Sequence, residues 1–96
     1  MKIVRDALAG TLESSDLLVR VSPGDTLDIV LKSEVIHQFG RHIDAVVRDT
    51  LRKLGVSAGQ ILIEDKGALD CVIAARVQTA VMRGVDEWRD DWRALA

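Results

Sequence analysis

The first third of the chain alternates between apolar and polar residues. In the segment "DLLVRV", Leu17, Val19 and Val21 would share one face of a strand, and Asp16 and Arg20 would lie on the other. This period of two is typical of a strand with one buried face. The same pattern predicts further strands over 7–12, 26–31 and 60–65.

Two short polar segments separate the first three predicted strands. "ESSD" (13–16) joins the first strand to the second, and "SPGD" (22–25) joins the second to the third. Pro23 and Gly24 suit the two central positions of a type II turn. The sequence therefore predicts a meander of hairpins, with a pair of serines at the tip of the first one.

The hydrophobic period changes to three and four residues in the middle of the chain. There it predicts an amphipathic helix that ends at Gly55. Its apolar face is formed by Ile36, Phe39, Ile43, Val46, Val47, Thr50, Leu51 and Leu54. A second helix is expected after Asp65, which is placed to cap it, with Gly67 and Ala68 in the first turn. Its apolar face is expected to contain Leu69, Val72, Ile73, Val77, Ala80 and Val81.

The resulting order, β-β-β-α-β-α, predicts an α+β fold. Two helices can cover one face of a mainly antiparallel sheet of about four strands, which gives a two-layer sandwich. We assign residues 1–84 to this domain and residues 85–96 to a C-terminal tail, for which a helix is one interpretation. Trp88 and Trp92 would share one face of a tail helix, together with Leu95. The indoles either fold back onto the domain or anchor a larger subunit.

Composition narrows the range of partners. The net charge of −2 and the pI near 5.6 argue against a nucleic-acid partner, which needs a basic surface. No apolar run approaches the roughly 20 residues that a membrane span requires. Arg5 and Asp6 stand where a signal peptide would have its apolar core. With Cys71 as its single cysteine, the chain is expected to be cytoplasmic, without an intramolecular disulfide.

Metal-binding and catalytic patterns are weak. His37 and His42 are five residues apart on the first helix, so they point about 140° apart and cannot share a metal ion. Cys71 lies beside the apolar stripe of the second helix and is expected to fill the interior. The tail acids alternate with arginines, as in a solvated helical segment; they are Asp86, Glu87, Asp90 and Asp91. We expect no metal site, no catalytic residue and no enzyme activity by this chain alone.

Two segments could carry a covalently attached group. "EDKGA" (64–68) superficially resembles a lipoyl attachment motif, with Lys66 as the acceptor. Lipoyl domains are all-β, however, and Lys66 leads into a helical pattern, so a structural turn is the better interpretation. The serines of "ESSD" form either an ordinary polar turn or an exposed acceptor that a transferase can reach without unfolding the domain.

Three motifs favour the serine turn as an attachment site. "AGTLES" (9–14), "QFG" (38–40) and "DKGALD" (65–70), the last followed by Ala75, Arg76 and Val77, occur in this order. Together they resemble the acyl carrier protein of citrate lyase, its gamma subunit, over residues 1–83. The resemblance implies that Ser14, directly after "TLE", carries the prosthetic group, and that the next position takes either glycine or serine. Ser15 is therefore the weaker candidate.

The resemblance also implies the chemistry of the group. It is 2'-(5''-triphosphoribosyl)-3'-dephospho-CoA, joined to the serine oxygen through a phosphodiester and ending in a thiol that bears the acetyl or citryl thioester. Glu13 and Asp16 would serve recognition by the attaching transferase, or solubility. As carboxylates they would also repel the phosphodiester mildly.

The implied partners are the enzymes that act on this thioester. The alpha subunit of citrate lyase exchanges acetyl for citrate, the beta subunit cleaves the citryl thioester to oxaloacetate, a transferase attaches the group, and a ligase acetylates the thiol. The carrier would contribute tethering, which raises the effective concentration of the thioester at both active sites. The alternatives are the carrier of citramalate lyase or of malonate decarboxylase, or an unmodified protein-interaction module.

Overall fold

The computed structural model describes residues 1–33 and 36–85, with the backbone alone at 36–38. Of the predicted tail, only Val85 lies within the described residues; Trp88, Trp92 and the acidic cluster lie outside them. The elements are β1 (Ala7–Gly10), β2 (Leu17–Ser22), β3 (Leu27–Ser33), α1 (Ile36–Leu54), β4 (Gly59–Asp65) and α2 (Asp70–Gly84). The predicted order of elements is confirmed.

The sheet has the strand order β1-β2-β4-β3. β1 pairs antiparallel with β2, and β2 pairs antiparallel with β4. β3 runs parallel to β4, so the connection between them is the crossover through α1. The sheet is therefore mainly antiparallel, as predicted, with one parallel pair.

The predicted hairpin between β2 and β3 is wrong, because β4 lies between these two strands. The segment "SPGD" reverses the direction of the chain, but the two strands that it joins are not adjacent in the sheet. Gly24 has no positive φ, so the predicted type II turn is not formed. The loop pairs instead with the start of β4, where the Gly59 N–H donates to the Thr26 carbonyl at 3.1 Å.

One face of the sheet forms the core with both helices. Alternate residues of β2 and β4 point into it, with Val19 and Ile63 fully buried. α1 and α2 contribute their apolar stripes to the same cluster, which includes Ile43, Val47, Leu51, Ile73, Val77 and Val81. Both helices cover the same face, and the predicted two-layer α+β sandwich is confirmed.

The predicted apolar stripes are wrong at the beginning of each helix. Phe39 is 51% exposed and Leu69 is 71% exposed. Among the described side chains, the first buried residue is Ile43 in α1 and Ile73 in α2. Phe39 and Leu69 each come four residues before it. Helical periodicity assigns a residue to a face, but it does not show how far along the helix that face is covered.

Candidate functional site

The two serines lie at the tip of the β1–β2 hairpin, as predicted. The Asp16 N–H donates to the Glu13 carbonyl at 3.2 Å, which closes a four-residue turn with Ser14 and Ser15 in its central positions. Both serines are exposed. Ser15 has φ 65°, in the left-handed region that glycine adopts at least cost. This geometry agrees with a position that takes either glycine or serine.

Ser14 has an accessible hydroxyl. Neither its side chain nor that of Ser15 makes a hydrogen bond to any described residue. The Glu13 side chain beside it is also exposed. The turn thus presents Ser14 Oγ to solvent, where an enzyme can approach it.

Asp16 holds the base of the turn through both oxygens of its carboxylate. Oδ2 accepts a hydrogen bond from Thr11 Oγ1 at 2.8 Å, and Oδ1 accepts one from the Leu17 N–H at 2.7 Å. Arg76 of α2 donates through Nε to Oδ1 and through Nη2 to Oδ2, both at 3.1 Å. The Thr11 hydroxyl, the Leu17 N–H and the Arg76 guanidinium together lower the pKa of Asp16 below its ordinary value.

A second anchor lies on the other side of the turn. The Ser15 N–H donates to the Lys66 carbonyl at 2.8 Å, and the Lys66 N–H donates to the Asp16 carbonyl at 2.9 Å. These bonds continue the β2–β4 ladder beyond its last pair, Leu17 with Asp65. The backbone around Lys66 is therefore the platform on which the serine turn rests.

Asp65 shapes this platform. Its carboxylate is buried and accepts hydrogen bonds from the Gly67 and Ala68 N–H groups and from Ser33 Oγ, at 3.0 to 3.1 Å. Asp65 therefore caps the turn that precedes α2. The prediction that it caps the helix itself is wrong, since Leu69 is the N-cap residue of α2. The α+β fold also differs from the all-β lipoyl domain, which leaves Lys66 with this structural role.

The two other candidates with described side chains, His42 and Cys71, make no hydrogen bond to the serine turn. His42 Nε2 lies 2.8 Å from both carboxylate oxygens of Asp70, whereas the side chain of His37 is outside the described residues. Cys71 is exposed, so the prediction that it fills the interior is wrong. It stands two residues before the buried Ile73 and hence about 200° away around the helix.

Among residues 1–33 and 36–85, no group of three or more His, Cys, Asp or Glu side chains is arranged to hold a metal ion. Within the same residues, neither helix is long and apolar enough to cross a membrane.

The sequence did not reveal the partner of Asp16. Arg76 lies 60 residues away, too far for any local pattern to connect the two. Each residue lies shortly after one of the quoted motifs, however. Asp16 is two residues after "AGTLES", and Arg76 is six residues after "DKGALD". The structure brings these two motifs together at one end of the molecule.

The chain is similar to known proteins over nearly its whole length. The model of the ACP family, described as "Malonate decarboxylase delta subunit (MdcD)", matches residues 4–84. "Citrate lyase acyl carrier protein" of Rhodopseudomonas palustris (strain BisA53) is 69% identical, with 100% of both chains covered. The protein of the same name from Albidiferax ferrireducens is 61% identical, with 99% of each chain covered.

A solved structure supports the fold. One chain of a Pseudomonas malonate decarboxylase hetero-tetramer in complex with malonate superposes with a TM-score of 0.77 at 23% identity, over 88% of this chain and 89% of that one. At this identity the likeness concerns the fold alone. On the sequence relatives and the family model, the chain belongs to the acyl carrier family that includes the citrate lyase acyl carrier proteins.

Proposed function

We propose that this chain is the acyl carrier subunit of citrate lyase and that Ser14 Oγ is the point of attachment of its prosthetic group. The observation that carries the proposal is the exposed hydroxyl of Ser14, in a turn whose residues on both sides are anchored. A transferase must bring a phosphorus atom within bonding distance of this oxygen, and an exposed hydroxyl at a hairpin tip permits that approach.

The residues around Ser14 fit a phosphodiester-linked group. In attachment, Ser14 Oγ would bond to the phosphorus next to the ribose of 2'-(5''-triphosphoribosyl)-3'-dephospho-CoA. The bond from that phosphorus to the outer two phosphates would break, so pyrophosphate would leave and one phosphate would remain in the phosphodiester. The hydroxyl proton would pass to the transferase or to water. The charge of Asp16 is offset by Arg76, so Asp16 repels the phosphodiester less than the sequence alone indicated. Glu13, exposed beside Ser14, is the carboxylate we assign to recognition by the transferase.

The chain's own contribution is delivery. When bound, the group supplies a thiol on a long arm, on which acyl groups are carried as thioesters. The protein holds the root of that arm in a defined place and keeps it in the complex, so that it reaches two active sites at high effective concentration. The partners in this proposal are the alpha and beta subunits, the attaching transferase and the acetylating ligase, all in the cytoplasm. The carrier itself supplies no catalytic group.

The names of the relatives bear on which enzyme this carrier serves. Full-length relatives at 57% to 69% identity are named for citrate lyase, whereas the superposed chain from malonate decarboxylase is 23% identical. Citrate lyase is therefore the proposal, and malonate decarboxylase and citramalate lyase are the alternatives. Reconstitution of the loaded carrier with the alpha and beta subunits of each enzyme separates them, because only the cognate pair should turn over its acid.

Intact-protein mass spectrometry with peptide mapping over residues 6–20 tests the attachment. Incubated with transferase and donor, the wild-type chain and Ser15→Gly should gain the mass of the group, and Ser14→Ala should not. Glycine is the matched substitution at residue 15, because it keeps the positive φ that alanine would strain. If Ser14→Ala gains the mass of the group and Ser15→Gly does not, the attachment site is Ser15. No gain in any variant would contradict the carrier function.

A further inference from the structure

The serine turn is tied to α2 by one side chain. We propose that Arg76 is a positioning residue for the attachment reaction: through Asp16, it holds the turn in the conformation that the transferase binds. This inference rests on the proposed function, since it concerns how Ser14 is presented. Among the described residues Arg76 makes no hydrogen bond to Ser14, and its effect passes through Asp16.

A chain of hydrogen bonds connects Arg76 to the residue before Ser14. Arg76 fixes the Asp16 carboxylate with two parallel bonds, a geometry that sets its orientation as well as its position. The same carboxylate accepts from Thr11 Oγ1, and that oxygen accepts from the Glu13 N–H at 3.2 Å. Glu13 is thus held from the side of α2, while the residue after Ser14 is held by Lys66.

The burial of the pair shows that it is more than a surface ion pair. The Asp16 side chain is 15% exposed and that of Arg76 is 41% exposed, so the carboxylate is largely removed from water and the guanidinium is partly open. Surface pairs contribute little because both partners are solvated and mobile. Here the acid is shielded and bears two further hydrogen bonds, so loss of Arg76 leaves it without its cation.

The local backbone is built to let Arg76 reach the turn. Gly10, the last residue of β1, lies where its Cβ would be 3.3 Å from Arg76 Cδ. The arginine stem therefore passes over a residue without a side chain. Arg83, seven residues further along the same side of α2, donates through Nη1 to the Leu8 carbonyl at 2.9 Å. It ties α2 to β1 without touching the serine turn, which makes it a matched control.

Attachment kinetics of Arg76→Ala, Arg76→Lys and Arg83→Ala test this role, with bound group measured by intact mass. If the turn is ordered only part of the time, the apparent affinity for the transferase falls by that fraction. We expect Arg76→Ala to raise the KM for the carrier by roughly five- to tenfold with little change in kcat. Arg76→Lys should be intermediate, since lysine offers a charge without the bidentate fork. Arg83→Ala should leave KM unchanged.

Amide hydrogen exchange of the unmodified chain gives a readout independent of the transferase. Exchange of the Ser15 and Asp16 N–H groups should accelerate in Arg76→Ala and not in Arg83→Ala. A double variant, Asp16→Asn with Arg76→Ala, should have the KM of Asp16→Asn alone, because Arg76 acts only through Asp16, whereas Asp16 also binds Thr11 and the Leu17 N–H.

Three outcomes would overturn the inference. They are an unchanged KM in Arg76→Ala, an equal rise of KM in Arg83→Ala, and additive effects in the double variant. If the wild-type chain and every variant fail to gain mass, the carrier function itself is overturned. That result differs from a change in KM that is confined to the Arg76 variants.

Discussion

Two aspartates near the serine turn, Asp16 and Asp65, stabilise the domain in different ways. Asp65 is buried, with 2% of its surface exposed, and satisfies two backbone N–H groups of the turn before α2. Asp16 organises the serine turn from a largely but not fully buried position. Each makes several hydrogen bonds, so removal of either leaves several donors to find new partners.

Replacement of Asp65 by alanine should destabilise the whole domain. The Gly67 and Ala68 N–H groups and Ser33 Oγ would all lose this acceptor. We expect the free energy of unfolding to fall by about 2–4 kcal/mol, measured by urea denaturation. Asp70→Ala is the control, because that carboxylate is exposed and pairs with His42 on the surface; it should cost less than about 1 kcal/mol. Equal losses would contradict the structural role given to Asp65.

Asp16 should make stability depend on pH in the acid range. Its pKa is lowered in the folded state by Thr11, the Leu17 N–H and Arg76. The stabilisation is therefore present above the unfolded value of about 3.9 and is lost as the pH falls through the folded pKa. The difference in free energy of unfolding between wild type and Asp16→Asn should shrink as the pH is lowered from about 5 to about 2. A constant difference across that range would show that the charge of Asp16 contributes nothing.

Hydrophobic periodicity predicted whether each segment forms a helix or a strand, but it did not predict which strands pair with each other. Alternation placed Leu17, Val19 and Val21 on a buried face, and they are buried. A strand with this alternation can pair with any other strand at either of its edges. The local sequence therefore does not show that β4 lies between β2 and β3. The Asp16–Arg76 contact was missed for the same reason. The serine turn could be found from the sequence, because its residues form one short polar segment between two predicted strands.

The junction between β1 and the serine turn depends on Gly10. Its φ is 95°, and an added Cβ would lie 1.9 Å from the Leu17 carbonyl oxygen, a separation at which the backbone must move. We expect Gly10→Ala to lower the free energy of unfolding by about 3 kcal/mol or more and to slow attachment at Ser14. Gly55→Ala is the matched control, since Gly55 also has a positive φ of 75° but no atom within 4 Å of the added Cβ. Its cost should be about 1 kcal/mol. Similar losses for both variants, by urea denaturation, would show that backbone conformation alone and not the collision matters.

The serine turn and Val85, the last described residue, lie toward opposite ends of α2. In the serine turn, the Ser15 N–H donates to the carbonyl of Lys66, which precedes the start of α2 by four residues. The tail follows Val85 at the other end of this 15-residue helix, about 22 Å along its axis. Val85 is buried in the core, and its carbonyl accepts a hydrogen bond from Arg5 at 3.0 Å. Residues 86–96 therefore begin at a point remote from the serine turn.

Deletion of residues 86–96 should separate attachment from assembly. Because the cut spares Val85 and lies far from the turn, the group should be attached to Ser14 with the wild-type KM, while binding to the lyase subunits weakens. Titration calorimetry with those subunits and urea denaturation of the free chain measure the two effects. Deletion from residue 85 is the control, since it also removes a buried side chain and should lower the free energy of unfolding by a further ~1–2 kcal/mol. If deletion of 86–96 lowers the urea midpoint and leaves subunit binding intact, Trp88 and Trp92 pack on their own domain and do not anchor a partner.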